Sequence, residues 1–179
     1  MKSRNDEILD LIQKDHGDLE SLCSLYVGSE IFGIDTKKIR EVLGERRPQR
    51  VPLAPAFVSG VVPYRGEVLA AVNLRSLLGM ESCNQSHCVL VMEDVVGAER
   101  FGLVVDGVGG VVTVSGRMLE PNPSTLEARA KWLFEGAYKM EERLMVRLNP
   151  QRLCPSRLAE TALFRTSMKG ETDASLDRR

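Results

Sequence analysis

The chain has 179 residues, 43% of them apolar, and its 24 Lys and Arg nearly balance 25 Asp and Glu. That length supplies one compact domain or two small subdomains, and the even charge gives no global pull towards nucleic acid or an anionic membrane. Aromatics at 5% leave little for a base-stacking platform.

The N-terminus, M-K-S-R-N-D-E, lacks the apolar core of a secretory signal, and no apolar run approaches the roughly 18 residues that span a bilayer. A soluble, cytoplasmic protein without membrane insertion is expected. Cys23, Cys83, Cys88 and Cys154 form no C-x-x-C pair and read as structural thiols in an apolar core.

Asn5 to His16 reads as an amphipathic helix with Asn5 as N-cap, Asp6 and Glu7 at the positive end, an Ile8, Leu11, Ile12 stripe, and Gly17 as the stop. It forms an extension over residues 1–20, docking on its own domain or on a partner. Leu22 to Val27 and Ile31 to Asp35 are strands around a Gly28-Ser29-Glu30 turn. Asp35 is then expected to cap a helix running to Leu43, with Ile39, Val42 and Leu43 inward. Lys37 to Arg50 holds six basic residues against two acidic ones, net +4. It reads as a solvated loop or a surface for an acidic protein, and base-reading groups are missing nearby.

The stretch from Arg50 to Met80 is the most informative. Val58 to Val62 and Val68 to Val72 are β-branched apolar runs around Tyr64-Arg65-Gly66-Glu67, a compact turn in which Gly66 takes a positive φ. Asn73 is placed to cap a short helix carrying Leu74, Leu77 and Leu78 on one face, with Gly79 in the left-handed position after it. A polar connector from Glu81 to Ser86 leads to a further hairpin, Cys88 to Met92 with Phe101 to Val105. Asp106-Gly107-Val108-Gly109-Gly110 then bends the chain into Val111 to Val114. Ser115 to Lys131 reads as a long loop with one helical turn at Arg117 to Leu119. Trp132 to Tyr138 and Arg143 to Leu148 make the last hairpin. Asn149-Pro150 opens a helix that Pro155 breaks, Ser156 caps a second helix to about Met168, and the tail to Arg179 reads as disordered, so that residues 156–179 form a helix and tail.

Two groups of about five strands, with no β-α-β alternation, point to a mainly β fold: two small antiparallel barrels with short helices at the seams. No catalytic constellation accompanies it. His16 and His87 are the only histidines. Cys83, His87 and Cys88 supply three zinc-type groups at poor spacing, the Asp106 to Gly110 segment lacks the Lys-Ser/Thr of a phosphate loop, and no nucleophile has its motif. No enzyme, cofactor or metal site is expected, and the reading is of a binding module.

Pro52, Pro55, Phe57, Val58, Gly60 and Val61, then Arg65-Gly66, an apolar strand and Asn73-Leu74-Arg75 carry a close resemblance to the CheW-like family. These are the adaptor domains that couple bacterial chemoreceptors to the histidine kinase CheA. Val104-Val105-Asp106-Gly107-Val108 resembles a second family signature, and Trp132, Leu133, Gly136 and Leu144 to Leu148 a third. The resemblance covers about Leu22 to Leu153 and implies two SH3-like five-stranded antiparallel barrels within residues 21–155, the second over roughly 86–148. The implied partners are the regulatory domain of a CheA-type kinase and the cytoplasmic tip of a chemoreceptor, with flagellar, pilus or other output. Nucleic acid is not expected as a partner.

The implied receptor-facing positions are Ile39, Glu41, Gly60 and Arg65. Ile39-Arg40-Glu41-Val42 matches the family's apolar-x-Glu-apolar helix, and an ion pair between Glu41 and Arg65 is expected. Each position also has a structural explanation: core filling for Ile39, close packing for Gly60, ordinary surface charge for Glu41 and Arg65. Pro63-Tyr64, where the family usually has a polar residue and Leu, and Ala70-Ala71, where it has Pro-(Val/Ile), depart from the pattern, and Asn73 replaces the commoner Asp. A general SH3-like interaction module without a kinase partner, and a nucleic-acid-binding small barrel, are the other readings.

Overall fold

A computed structural model describes residues 19–81, 87–93, 99–125 and 128–161. The expected N-terminal helix, Cys83, and the end of the chain beyond residue 161 lie outside the described residues. The fold is mainly β, consistent with the SH3-like expectation. The strands are β1 (Leu19–Val27), β2 (Glu30–Asp35), β3 (Ile39–Glu45), β4 (Val58–Tyr64), β5 (Glu67–Asn73), β6 (Cys88–Glu93), β7 (Arg100–Val105), β8 (Gly107–Ser115), β9 (Phe134–Lys139) and β10 (Leu144–Leu148). They form two five-stranded sheets, ordered β8-β1-β2-β10-β9 and β3-β6-β7-β5-β4.

The first sheet belongs to a unit built from residues up to Lys37 and from Gly107–Leu148. β1 and β2 pair antiparallel around Gly28, which has φ 61°, and β10 joins β2 in parallel with Val146 opposite Phe32. Leu22, Val114, Tyr138 and Met145 form a buried cluster. Arg147 on β10 is clasped between Glu20 and Glu135, the latter at 2.6 Å, and donates to the Tyr138 hydroxyl at 3.0 Å. Burial opposes its charge, but Tyr138 and the two carboxylates outweigh it and hold the guanidinium above its ordinary pKa.

The second unit comprises Lys38–Asp106 and the chain from Asn149 onward. β3 pairs with β6, β6 with β7, and β5 with both β7, in parallel, and β4. Val62, Tyr64, Leu69, Ala71, Val89, Val91 and Val104 form its core cluster, with Leu43 packed against it. The expected cap is present: Asn73 Oδ1 accepts from the Ser76 backbone N–H at 3.1 Å and opens α1 (Leu74–Leu77). Leu74 and Leu77 are buried, and Gly79 follows at φ 72°. Arg75 on this helix forms a largely buried ion pair with Asp106. Asn149 caps a single 3-10 turn (Pro150–Leu153), accepting from the Gln151 N–H at 3.1 Å.

Five local expectations change. The helix expected from Asp35 to Leu43 is one 3-10 turn (Thr36–Lys38) followed by β3. Asp35 still caps, accepting from the Lys37 N–H at 2.9 Å, but the apolar residues after it gain a full strand partner in β6. The bend expected over Asp106 to Gly110 narrows to Asp106, and its glycines lie within β8. There a Cβ on Gly109 would come within 2.4 Å of the Ser24 hydroxyl oxygen, so the glycine permits a close β1–β8 approach. Residues Trp132 and Leu133 end a helix, α2 (Ala128–Leu133), and the strand starts at Phe134. The last helix opens at Pro155, which takes a first-turn position instead of breaking a helix there. Finally, the two sheets do not divide the chain near residue 86: β6 and β7 join β3 to β5, while β1 and β2 join β8 to β10.

Candidate functional site

β4 and β5 meet in a two-residue turn, Arg65 and Gly66, with Tyr64 opposite Glu67. Both turn residues have positive φ, 47° and 85°, the combination whose twist matches that of the flanking strands. Gly66 adopts it freely, whereas Arg65 gives up roughly 1 kcal/mol of backbone preference. The turn thereby sets an arginine at the hairpin tip.

Three side chains meet there. Glu41, on β3, accepts from Arg65 Nη2 at 2.8 Å and from the Tyr64 hydroxyl at 2.9 Å, both on Oε2. The Arg65 guanidinium carbon lies 5.3 Å from the centre of the Tyr64 ring, a cation–π distance. Tyr64 is buried at 5% exposure, whereas the Arg65 side chain is 67% exposed. One end of the cluster is therefore anchored in the core and the other faces water. β3 and β4 are the two outer strands of their sheet, so these bonds link its opposite edges.

The cluster has charged neighbours on the same unit. Arg40 donates to Glu93 at 2.8 Å, and its ordinary pKa is raised first by a hydrogen bond to Tyr64 and then by Glu93. Arg100 donates to Glu67 at 2.9 Å. These pairs are exposed, and solvent screening leaves them little weight in stability.

The four expected site residues fall differently. Glu41 and Arg65 form the expected ion pair. Glu41, however, stands on a strand and not on a helix. Ile39 is half-buried at the start of that strand, opposite Met92. Gly60 lies towards the base of the hairpin at φ 144°, where a Cβ would come within 2.1 Å of the Gln49 carbonyl oxygen. Gln49 exchanges two backbone hydrogen bonds with Val61 at 2.8 Å each, so close chain crossing accounts for this glycine. Tyr64 was visible in the sequence only as a departure before Arg-Gly, and its hydroxyl bond to Glu41 needed the pairing of distant strands.

The described residues contain no group of three or more His, Cys, Asp or Glu placed to hold a metal, and no described helix is long and apolar enough to cross a membrane. The model of the CheW-like domain matches residues 21–157. The chain belongs to the CheW-like family. Chemotaxis protein CheW of Rhizobium meliloti (strain 1021) is 30% identical over 143 residues, covering 79% of this chain and 91% of that protein. Protein FrzA of Myxococcus xanthus is 28% identical over 107 residues, covering 60% and 67%. Among solved structures, the scaffolding protein TtCheW from Thermoanaerobacter tengcongensis matches with a TM-score of 0.67 at 20% identity, over 75% of this chain and 91% of that one. That likeness is one of fold. Within this CheW-like chain the Glu41, Tyr64 and Arg65 cluster is anchored in the core at Tyr64 and exposed at Arg65.

Proposed function

We propose that this chain is a non-enzymatic, cytoplasmic adaptor that couples the cytoplasmic tips of chemoreceptors to a CheA-type histidine kinase in a signalling array, with flagellar or pilus output. The observation that carries the reading is family membership over residues 21–157 together with a charged recognition group, Arg65, held at an exposed hairpin tip. An exposed arginine with its rotamers already restricted suits protein recognition, because less freedom is lost when the partner docks. The receptor-facing role belongs to Arg65 and Glu41, with Ile39 beside them on β3. Gly60 acts through the backbone path and not as a contact.

The first unit adds an open groove of about 720 Å³, lined by Ile31, Val112, Met140 and Met145 with Tyr26 and Arg143 among its polar groups. We read such a groove as a second protein contact, with the kinase regulatory domain as its partner. The test is binding of the full chain to the isolated regulatory domain of a CheA kinase and to a receptor-tip fragment, both from the same source. Wild type should bind both. Arg65→Ala should keep the kinase and lose about tenfold or more towards the receptor, as loss of an interface arginine at a hot spot does. Failure to bind any kinase of that source would leave the chain a general interaction module.

A further inference from the structure

We infer that Tyr64 is a positioning residue for recognition by Arg65: its hydroxyl fixes the Glu41 carboxylate, and Glu41 in turn holds Arg65 in one orientation at the hairpin tip. The inference rests on the adaptor reading for its partner and on this chain's own geometry for its mechanism.

An exposed arginine and glutamate alone exchange readily between paired and water-bound forms, since both side chains are long and well hydrated. Here the pair is not alone. Oε2 of Glu41 accepts two bonds, one from Arg65 and one from a tyrosine that is 5% exposed. A buried ring has few rotamers open to it, so the hydroxyl is a fixed point. Through that point the carboxylate is fixed, and through the carboxylate the guanidinium. The ring contributes a second restraint, since Arg65 lies over its face at 5.3 Å.

The surroundings hold the hydroxyl in turn. Tyr64 belongs to the core cluster with Val62, Leu69 and Val91, so its ring is packed from below while the hydroxyl reaches Glu41. A phenylalanine at this position would keep the ring in the core and remove the hydroxyl that Glu41 accepts from. The tyrosine hydroxyl therefore adds orientation beyond what packing the ring requires.

The experiment compares wild type, Tyr64→Phe, Arg65→Ala and the double variant as full-length chains. Phenylalanine retains the ring, its packing and its contact with the guanidinium, and removes only the hydroxyl. Tyr64→Phe should weaken receptor-tip binding about two- to tenfold, the loss expected when one long side chain must be ordered on docking, with kinase-domain affinity unchanged. In the Arg65→Ala background the same change should have no further effect, because Tyr64 acts only through Arg65. Equal receptor affinity in wild type and Tyr64→Phe, or an equal loss in both backgrounds, would overturn the inference.

A second readout needs no partner. In arginine-labelled protein the Arg65 Nη2–Hη resonance, on the nitrogen that donates to Glu41, should be dispersed and slow to exchange in wild type, and should move towards the free-arginine position in Tyr64→Phe. The same resonance in both proteins would overturn the inference. If wild type binds no receptor tip, the adaptor reading fails on its own, and this resonance still decides whether Tyr64 positions Arg65.

Discussion

At Gly60 a side chain has nowhere to go: the nearest atom to a built Cβ is a backbone carbonyl oxygen 2.1 Å away, and backbone cannot turn aside as a long side chain can. Its φ of 144° adds strain for any L residue. Gly60→Ala should therefore cost about 3 kcal/mol of stability, read as a lower urea midpoint, and any loss of partner binding should track the unfolded fraction. A near-neutral urea midpoint would return Gly60 to the list of contact residues. Arg65 is the opposite case: it too has positive φ, but its side chain is 67% exposed and meets only the Glu41 carboxylate and the Tyr64 ring among the described contacts. The thiols are a third kind of residue. Cys23 and Cys154 are buried, and burial pushes both thiols up, with the Glu99 carboxylate adding to the shift at Cys154. Both fit the structural role expected of them; composition suggested it, and burial supplies the cause.

The hairpin and helix from Val58 to Leu77 behave as an element whose parts are local. Each strand reads from β-branched runs, the turn from Gly66, and the helix start from Asn73, whose Oδ1 accepts the Ser76 N–H. Asn73→Ala should lower stability by about 1 kcal/mol, whereas Asn73→Asp should retain most of it; thermal denaturation of both variants checks this, and equal melting of all three proteins would mean the cap contributes nothing. β3 shows the limit of the same reasoning. Ile39, Val42 and Leu43 satisfy helical spacing, and a run this short is ambiguous between helix and strand. The outcome was decided by β6, whose residues Leu90 and Val91 pair with Val42 and Glu41. That decision matters to the site, because a strand and not a helix presents Glu41 to Arg65.

Across the whole molecule the two sheets interleave along the chain. β1 and β2 find their sheet partners β8, β9 and β10 more than seventy residues later, and each sheet contains one parallel pair that no hairpin can provide. A cut after residue 86 therefore gives no fragment with a complete sheet. Separately expressed fragments 1–86 and 87–179 should each lack the dispersed amide spectrum of a packed β protein. A folded fragment 87–179 would show that β8, β9 and β10 are stable without β1 and β2.

Residues within a few positions of one another determined the hairpins, the turn at Arg65-Gly66, the cap at Asn73 and the family motif, because backbone preference and side-chain-to-backbone bonds act over that range. The Glu41–Arg65 pair was legible too, although only through the family's pattern. Which strands share a sheet, that β3 is a strand, and that a buried tyrosine holds the pair were decided by tertiary structure. Apolar strands of similar composition are interchangeable partners to a local reading, and only the register that buries all of them at once selects one pairing.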